Sequence, residues 1–344
     1  MKAIFIKEFG GPANIQFGEL PKPKPGCGEV LVKIKAMALN HLDLWVMKGR
    51  PGASAGDGHI LGSDASGVIE ALGDGVTTVK VGDEVVLNPG VSCMACEFCG
   101  RGFHSECASY KLLGFQLPGT GAEYIAVPAV NAQPKPKHLS WEEAAALNLS
   151  HITAWRMLFT RAQFKSGESV LLHGIGGGVA LAALQMIKSA GGEAIVTSSS
   201  DKKLAFAKSQ GAAFGINYKN TPDVAAEVKK VTNNRGVDVV IDTVGAPTLP
   251  ISMNSVRRGG RIVTCGITGG KDGAINIQQL YWNHISYLGS TMGSQEDFRL
   301  MLRWCAQTGI KPIVDQVVAF DKYKEAALKM EAGEQTGKLA VKIS

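Results

Sequence analysis

The stretch His173-Gly174-Ile175-Gly176-Gly177-Gly178-Val179-Ala180 decides the fold. A run of strand character, Ser169–His173, leads into it, and a helical pattern starts at about Val179. Gly174, Gly177 and Ala180 fall three apart on this strand-to-helix turn. Small residues at that spacing let the backbone turn tightly and approach a pyrophosphate, whose charge then sits on the free N–H groups of the helix N-terminus. A glycine run alone would mark only a tight turn. Its place after a strand, before a helix and inside a series of βα units makes it a dinucleotide site.

The units continue downstream. Strand patterns recur at Ala194–Thr197, Gly215–Tyr218, Asp238–Asp242, Arg261–Cys265 and Ser286–Ser290, with a helix at Lys202–Gln210 among the intervening segments. Six strands alternating with helices predict a doubly wound parallel sheet. Upstream the rhythm differs: Lys2–Ile6, Glu29–Ala36, Ser66–Ala71, Glu84–Leu87 and Glu123–Val127 read as short strands between Gly and Pro turns, a β-rich, barrel-like domain. Beyond Ser290 a helix near Asp297–Gln307 and a last strand near Lys338–Ile343 suggest a tail that packs back on the first domain. The expected division is therefore 1–130, 131–290 and 291–344, and 344 residues suffice for two cores.

The second parallel strand carries the cofactor preference. An NAD site usually ends that strand with an acidic residue for the ribose hydroxyls. Here it ends Thr197-Ser198-Ser199-Ser200, followed by Asp201, Lys202 and Lys203. Hydroxyls and lysines suit a 2′-phosphate, so NADP(H) is expected over NAD. Asp201 reads as the N-cap of the helix that Gly211 ends.

Cys93, Cys96, Cys99 and Cys107 form C-x2-C-x2-C-x7-C, while Cys27, Cys265 and Cys305 are scattered. Four thiolates at that spacing can close a tetrahedral zinc site, and a closed site has no open position for substrate. A structural zinc in a lobe at 90–110 is expected. Apolar residues make up 45% and charged residues 19% of the chain, a globular balance. The formal charge of +6 is dispersed, which argues for anionic small molecules and against a nucleic-acid surface. The segment Met1-Lys2-Ala3-Ile4-Phe5-Ile6-Lys7-Glu8 returns to charge early, and no apolar run approaches the ~18 residues of a membrane span. Together with metal-type cysteine spacing these features predict a cytoplasmic protein with no membrane partner.

The β-rich first domain, four-cysteine lobe, dinucleotide fold and returning tail resemble the zinc-containing medium-chain dehydrogenase/reductase superfamily over essentially the whole chain. Gly62-Ser63-Asp64-Ala65-Ser66-Gly67-Val68 stands where that family has a Gly-His-Glu-type segment, Ile152-Thr153-Ala154-Trp155 enters the cofactor domain, and Gly337-Lys338-Leu339 looks like its closing strand. The resemblance implies an α/β protein with a GroES-like catalytic domain and a Rossmann domain. The alcohol dehydrogenases of the family hold a catalytic zinc at three places where this chain has Asn40, Ser63 and Leu149, none a good ligand. In that respect the chain looks like the quinone oxidoreductase-like branch, although that branch often lacks the structural cysteines.

By resemblance, Asn40 and Asp43 lie beneath the nicotinamide and Thr153 beside it, with capping or turn roles as the alternative for each. Ser63 and Asp64 could relay a proton, and His151 is the candidate general acid. Gly174, Gly177, Gly178 and Val179 would meet the pyrophosphate, Ser198, Ser199 and Lys203 the 2′-phosphate, and Tyr218 the adenosine. Gly266, Ile267, Ser290, Thr291 and Met292 would reach the nicotinamide end, and Lys338 is grouped with these cofactor residues; Cys265 reads as core. Without zinc to stabilise an alkoxide, reduction of a small enone, quinone or related carbonyl electrophile by NADPH is the favoured activity. The alternatives are an alcohol dehydrogenase using His151 or a metal displaced to His41, His59, Asp64 and His151, and a non-catalytic NADPH-binding protein. The resemblance also suggests a homodimer or homotetramer built across the cofactor domains.

Overall fold

The computed structural model describes residues 1–344. Its first strands are β1 (Lys2–Ile6), β2 (Gln16–Glu19), β3 (Glu29–Ala38), β4 (His59–Ile60), β5 (Asp64–Leu72) and β6 (Glu84–Leu87), with helix α1 (His41–Met47) between β3 and β4. The cysteine lobe holds β7 (Gly90–Val91), α2 (Glu97–Gly100) and β8 (Lys111–Leu112). After it come β9 (Tyr124–Pro128), β10 (Ala132–Pro134) and the helix α3 (Trp141–Trp155), which runs into a π-helical segment, Arg156–Arg161. The parallel part is β11 (Ser169–Leu172), α4 (Gly178–Ser189), β12 (Glu193–Ser198), α5 (Asp201–Ser209), β13 (Phe214–Asn217), α6 (Val224–Val231), β14 (Val237–Asp242), α7 (Leu249–Ser255), β15 (Val256–Thr264), α8 (Ile277–Trp282) and β16 (Ser286–Gly289). The chain closes with α9 (Gln295–Thr308), β17 (Val314–Ala319), α10 (Tyr323–Glu331) and β18 (Lys338–Lys342).

Contacts divide the chain into two units, Met1–Ile152 with Met292–Ser344, and Thr153–Thr291. In the first, the main sheet runs β10-β6-β5-β3-β18-β17, with β9 also on β3. β3 is the hub. Its β-branched run Val30, Val32 and Ile34 packs with Ile69, Val85 and Ile125 in one core, and its far end places Met37 beside Leu61, Tyr323 and Leu339 in another. Because β10 pairs antiparallel with β6, the first unit continues past residue 130. Asn148 Nδ2 then donates to Ala65 O at 2.8 Å, tying α3 to the same unit.

The second unit is a six-stranded parallel sheet in the order β13-β12-β11-β14-β15-β16. Val237–Asp242 is buried at every position, as expected of a strand covered on both faces. Leu171, Ile195, Ile216, Val240 and Ile262 from the strands pack with Val228 and Met253 from the helices. The order reverses at β11, between β12 and β14, and such a switch point is where open α/β sheets take ligands, outside the carboxyl ends of the strands. No helix is long and apolar enough to cross a membrane.

Candidate active site

The glycine turn sits at the carboxyl end of β11. Gly174 and Gly176 have φ of 69° and 117°, values that disfavour any side chain, and Gly177 is the N-cap of α4 and makes no side-chain cap bond to its first N–H groups. Ile175 N–H donates to Thr197 O at 2.9 Å and so seats the turn on the end of β12. A Cβ at Gly176 would lie 2.7 Å from Lys203 Cδ. The lysine stem therefore runs against the turn, which brings Lys203 to the same place as Gly174, Gly177, Gly178 and Val179. Gly176 was not singled out from the sequence; its signal was only its place within the run.

At the end of β12, Ser198 Oγ accepts from Ser200 N–H at 3.2 Å, and Ser200 Oγ accepts from Lys203 N–H at 3.4 Å. Ser200, not Asp201, is thus the N-cap of α5. Asp201 is the first helical residue, and its Oδ1 accepts from Asn217 Nδ2 at 2.7 Å. The hydroxyl wins because its short side chain folds back on the third helical N–H while the carboxylate finds an amide on β13. Ser199 is half-buried beside this cap, and Tyr218 N–H donates to Ser198 O at 3.1 Å with its ring exposed. These residues share the carboxyl ends of β12 and β13.

Beneath the turn lies a network that sequence reading missed. The His173 imidazole faces Thr197 Oγ1 at 3.3 Å and Ser252 Oγ at 3.1 Å, and its burial pushes its pKa below the ordinary value. Ser252 donates to Asp242 at 3.2 Å, and Asp242 also accepts from Val244 N–H, Gly245 N–H and Thr248 Oγ1. One buried cluster thereby fixes the ends of β11, β12 and β14. Cys265, read from sequence as core, is half-buried; burial, then the Asp242 charge, push its thiol up to about 12. Gly266 and Ile267 follow β15, where a Cβ at Gly266 would meet Thr243 O at 2.2 Å. Ser290 N–H donates to Thr264 O at 2.9 Å, and Arg161 Nε donates to Gly289 O at 2.9 Å, holding the segment that leads to Thr291 and Met292 (φ 50°).

The second polar cluster belongs to the first unit. Asn40 precedes α1, and Asp43 reaches back to accept its N–H at 2.7 Å while accepting Gly62 N–H at 3.1 Å. Burial pushes the Asp43 carboxyl up to about 7 against these donors and the charge of Lys338. Asp64 is fully enclosed: Oδ1 accepts Leu149 N–H at 2.8 Å, and Oδ2 accepts Asn40 Nδ2 and Lys338 Nζ, each at 2.9 Å. Lys338 Nζ also donates to Asn40 Oδ1 at 2.5 Å. Lys338 comes from β18, and the ammonium lies inside this unit. Ser63 Oγ donates to Leu113 O at 2.7 Å.

The remaining candidates are apart from this cluster or engaged elsewhere. His151 is buried on α3 with Nδ1 facing Ser150 Oγ at 3.1 Å, and His59 Nε2 faces Gly114 O at 3.2 Å. Thr153 is buried inside α3 and caps no helix. His41, His59, Asp64 and His151 do not form a ligand cluster; the four cysteines are the group that does. The positions that the family resemblance assigns to a catalytic zinc hold an amide bonded to Lys338 and Asp64, a hydroxyl given to a carbonyl, and a leucine. That set does not fit a zinc ion.

In the lobe the geometry is the reverse. The sulfurs of Cys93, Cys96, Cys99 and Cys107 all lie within 4.8 Å of one another, with contacts of 3.5, 3.6 and 3.9 Å. A tetrahedron with Zn–S bonds of ~2.3 Å has an edge of about 3.8 Å. Cys96 N–H and Cys93 N–H donate to the sulfurs of Cys93 and Cys107, each at 3.4 Å, and the backbone N–H groups of Ala95 and Cys96 hold the Cys93 thiol below its ordinary value. The donor set therefore fits a structural zinc.

Comparison with known proteins agrees with both units. Residues 26–137 match the alcohol dehydrogenase GroES-like domain, and residues 178–307 match the zinc-binding dehydrogenase family. A zinc-type alcohol dehydrogenase-like protein of Schizosaccharomyces pombe is 37% identical, over 94% of this chain and 93% of its own. A crotonyl-CoA carboxylase/reductase of Cereibacter sphaeroides is 30% identical, over 99% of this chain and 86% of its own. Among solved structures, one described as an NAD-dependent alcohol dehydrogenase is 40% identical with a TM-score of 0.94, covering 100% of both chains.

Proposed function

The chain belongs to the zinc-type alcohol dehydrogenase-like medium-chain dehydrogenase/reductase superfamily, and from that premise we propose that it reduces small enones, quinones or related carbonyl electrophiles with NADPH, using zinc only to hold its cysteine lobe. One observation carries this reading: the three places of a catalytic zinc are filled by Asn40, Ser63 and Leu149, whose polar atoms already bond within the protein. Oxidising a saturated alcohol calls for stabilisation of an alkoxide, which zinc supplies in the related alcohol dehydrogenases. Reduction of an activated double bond or quinone spreads charge over an enolate or phenolate, which hydrogen-bond donors can hold.

The dinucleotide supplies the hydride when bound. The turn at Gly174, Gly177, Gly178 and Val179 binds its pyrophosphate, with Ser198, Ser199 and Lys203 about the 2′-phosphate and Tyr218 by the adenosine. Gly266, Ile267, Ser290, Thr291 and Met292 orient its nicotinamide end. On the substrate side Asn40 donates to the developing oxyanion and His151 supplies the proton, while Asp43 and Asp64 fix Asn40 and Lys338. Thr153 orients the carboxamide. NAD is the rival cofactor, and Asp201 beside Ser200 is the observation that favours it.

Purified protein is expected to contain one zinc per chain and to consume NADPH with an enone or quinone far faster than it oxidises simple alcohols. Lys203→Ala is expected to lower kcat/KM for NADPH by about 10–100-fold and leave NADH nearly unaffected, the loss of one charge-assisted contact. Two zincs with alcohol turnover would make the protein an alcohol dehydrogenase instead, and equal losses for the two cofactors would favour NAD. We also read the protein as a cytoplasmic homodimer or homotetramer. Exposed Ile277, Tyr281 and Trp282 on α8, next to the edge strand β16, support a second copy as partner. Light scattering should give at least twice the 36.3 kDa chain mass; the mass of a monomer refutes it.

A further inference from the structure

Asn40 is held at both ends of its amide. Oδ1 accepts from the Lys338 ammonium at 2.5 Å, and Nδ2 donates to Asp64 Oδ2 at 2.9 Å. Lys338 and Asp64 themselves pair at 2.9 Å, so the three side chains form a closed ring of alternating donors and acceptors. Turning the amide over would set its NH2 against an ammonium and its oxygen against a carboxylate. Only one orientation satisfies both neighbours.

The locked amide has one donor left. An amide nitrogen carries two hydrogens, and Asp64 takes one of them. A cation on the oxygen draws electron density from the nitrogen and strengthens the remaining N–H as a donor, as in any polarised chain of hydrogen bonds. Asn40 is 7% exposed, the most accessible of the three; Lys338 is 4% and Asp64 0%. The ring thus encloses its charges, and Asn40 is the member that keeps the largest exposed fraction.

We propose that Lys338 is a positioning residue that fixes and polarises Asn40, so that the second Nδ2–H is presented to an oxygen on which negative charge develops. The role rests on the hydride-transfer reading above, but its physical content is narrower: a site for an oxyanion governed by a lysine that does not touch it. A purely structural ion pair would hold the sheet together and leave anion affinity at Asn40 unchanged.

The test uses the NADP+ complex of the whole chain with 4-nitrophenol as the probe, its ionised fraction read from visible absorption. The parent should take up the phenolate, and Lys338→Met should weaken that uptake by about 10–100-fold, the scale of losing a preorganised oxyanion donor. Lys338→Arg should recover most of it, with each protein saturated with NADP+ as judged by cofactor fluorescence. Phenolate affinity unchanged in Lys338→Met would overturn the proposal. Should that variant fail to fold, Lys338→Gln decides, because its amide can still donate to Asn40 and Asp64 without the charge: weakened phenolate uptake upholds the proposal and uptake equal to the parent's sinks it. A protein that binds phenolate in this lysine-dependent way yet reduces no enone or quinone would end the wider reading and keep this one.

Discussion

Asp64→Ala is expected to destabilise the first unit by about 3–5 kcal/mol, the usual cost of stripping one partner from a buried ion pair. The carboxylate is inaccessible to solvent and accepts three hydrogen bonds, from Leu149 N–H, Asn40 Nδ2 and Lys338 Nζ. Its removal leaves the Lys338 ammonium, itself 4% exposed, with Asn40 Oδ1 as its remaining acceptor. Leu149 N–H and the Asn40 amide each lose a bond to the carboxylate as well. The double variant Asp64→Ala, Lys338→Met should regain part of the loss, since it removes the isolated charge, and the gap between the summed singles and the double measures the coupling. Urea unfolding followed by tryptophan fluorescence gives these values. A single variant within 1 kcal/mol of the parent, as for an ordinary surface change, would show that the pair contributes little.

Removal of zinc is expected to unfold the lobe while the parallel sheet stays folded. Between Ser92 and Leu112 the only regular structure is α2, one 3-10 turn at His104–Glu106 and the two-residue strand β8, and the buried residues are Cys99 and Cys107. No hydrophobic core exists there to outweigh chain entropy, so the sulfur cluster is what holds the loop. Structural zinc contributes about 10–16 kcal/mol of apparent binding free energy in small domains. A strong chelator, or Cys99→Ser, should therefore expose the Arg101 and Lys111 peptide bonds to trypsin, with cutting accelerated by a factor of at least about 100 on that scale, and leave dinucleotide binding measurable. Equal protection of Arg101 with and without metal would mean that the flanking contacts suffice. Those contacts are Asn131 Nδ2 to Asn88 O and Gly90 O, at 2.8 and 2.7 Å, and Gln295 N–H to His104 Nδ1 at 3.3 Å.

What could be read from sequence was local. The cysteine spacing, the glycine turn and strands such as Lys2–Ile6 and Glu84–Leu87 are set by periodicity and turn chemistry within a few residues, and they occur where expected. Boundaries that depend on partners were misjudged. β15 begins at Val256, because it pairs with β14 on both sides of a bulge, whereas the apolar pattern starts only at Arg261. β17 is exposed along most of its length, and its Val-Asp-Gln-Val-Val-Ala order lacks the alternation of a half-buried strand; pairing with β18 sets its place. The contacts that give the polar clusters their character span 298 residues from Asn40 to Lys338 and 79 from His173 to Ser252. No local pattern announces a lysine whose partners lie at the other end of the chain. Ser200 and Asp201 show the same limit at short range, since either could cap a helix until Asn217 occupies one of them.

The place of β18 has a consequence for how the protein is made. Its residues 338–342 lie between β3 and β17 in the main sheet, pairing with Ala36–Ala38 on one side. Those residues leave the ribosome long after β3. The parallel sheet, complete once Gly289 has emerged, can fold while synthesis continues, whereas the first unit waits with the flank of β3 open until its partner arrives. During that interval an unpaired apolar strand is presented to the cell, so nascent chains truncated before residue 338 should be the aggregation-prone and chaperone-bound species, and the arrival of β18 marks the moment at which that exposure ends.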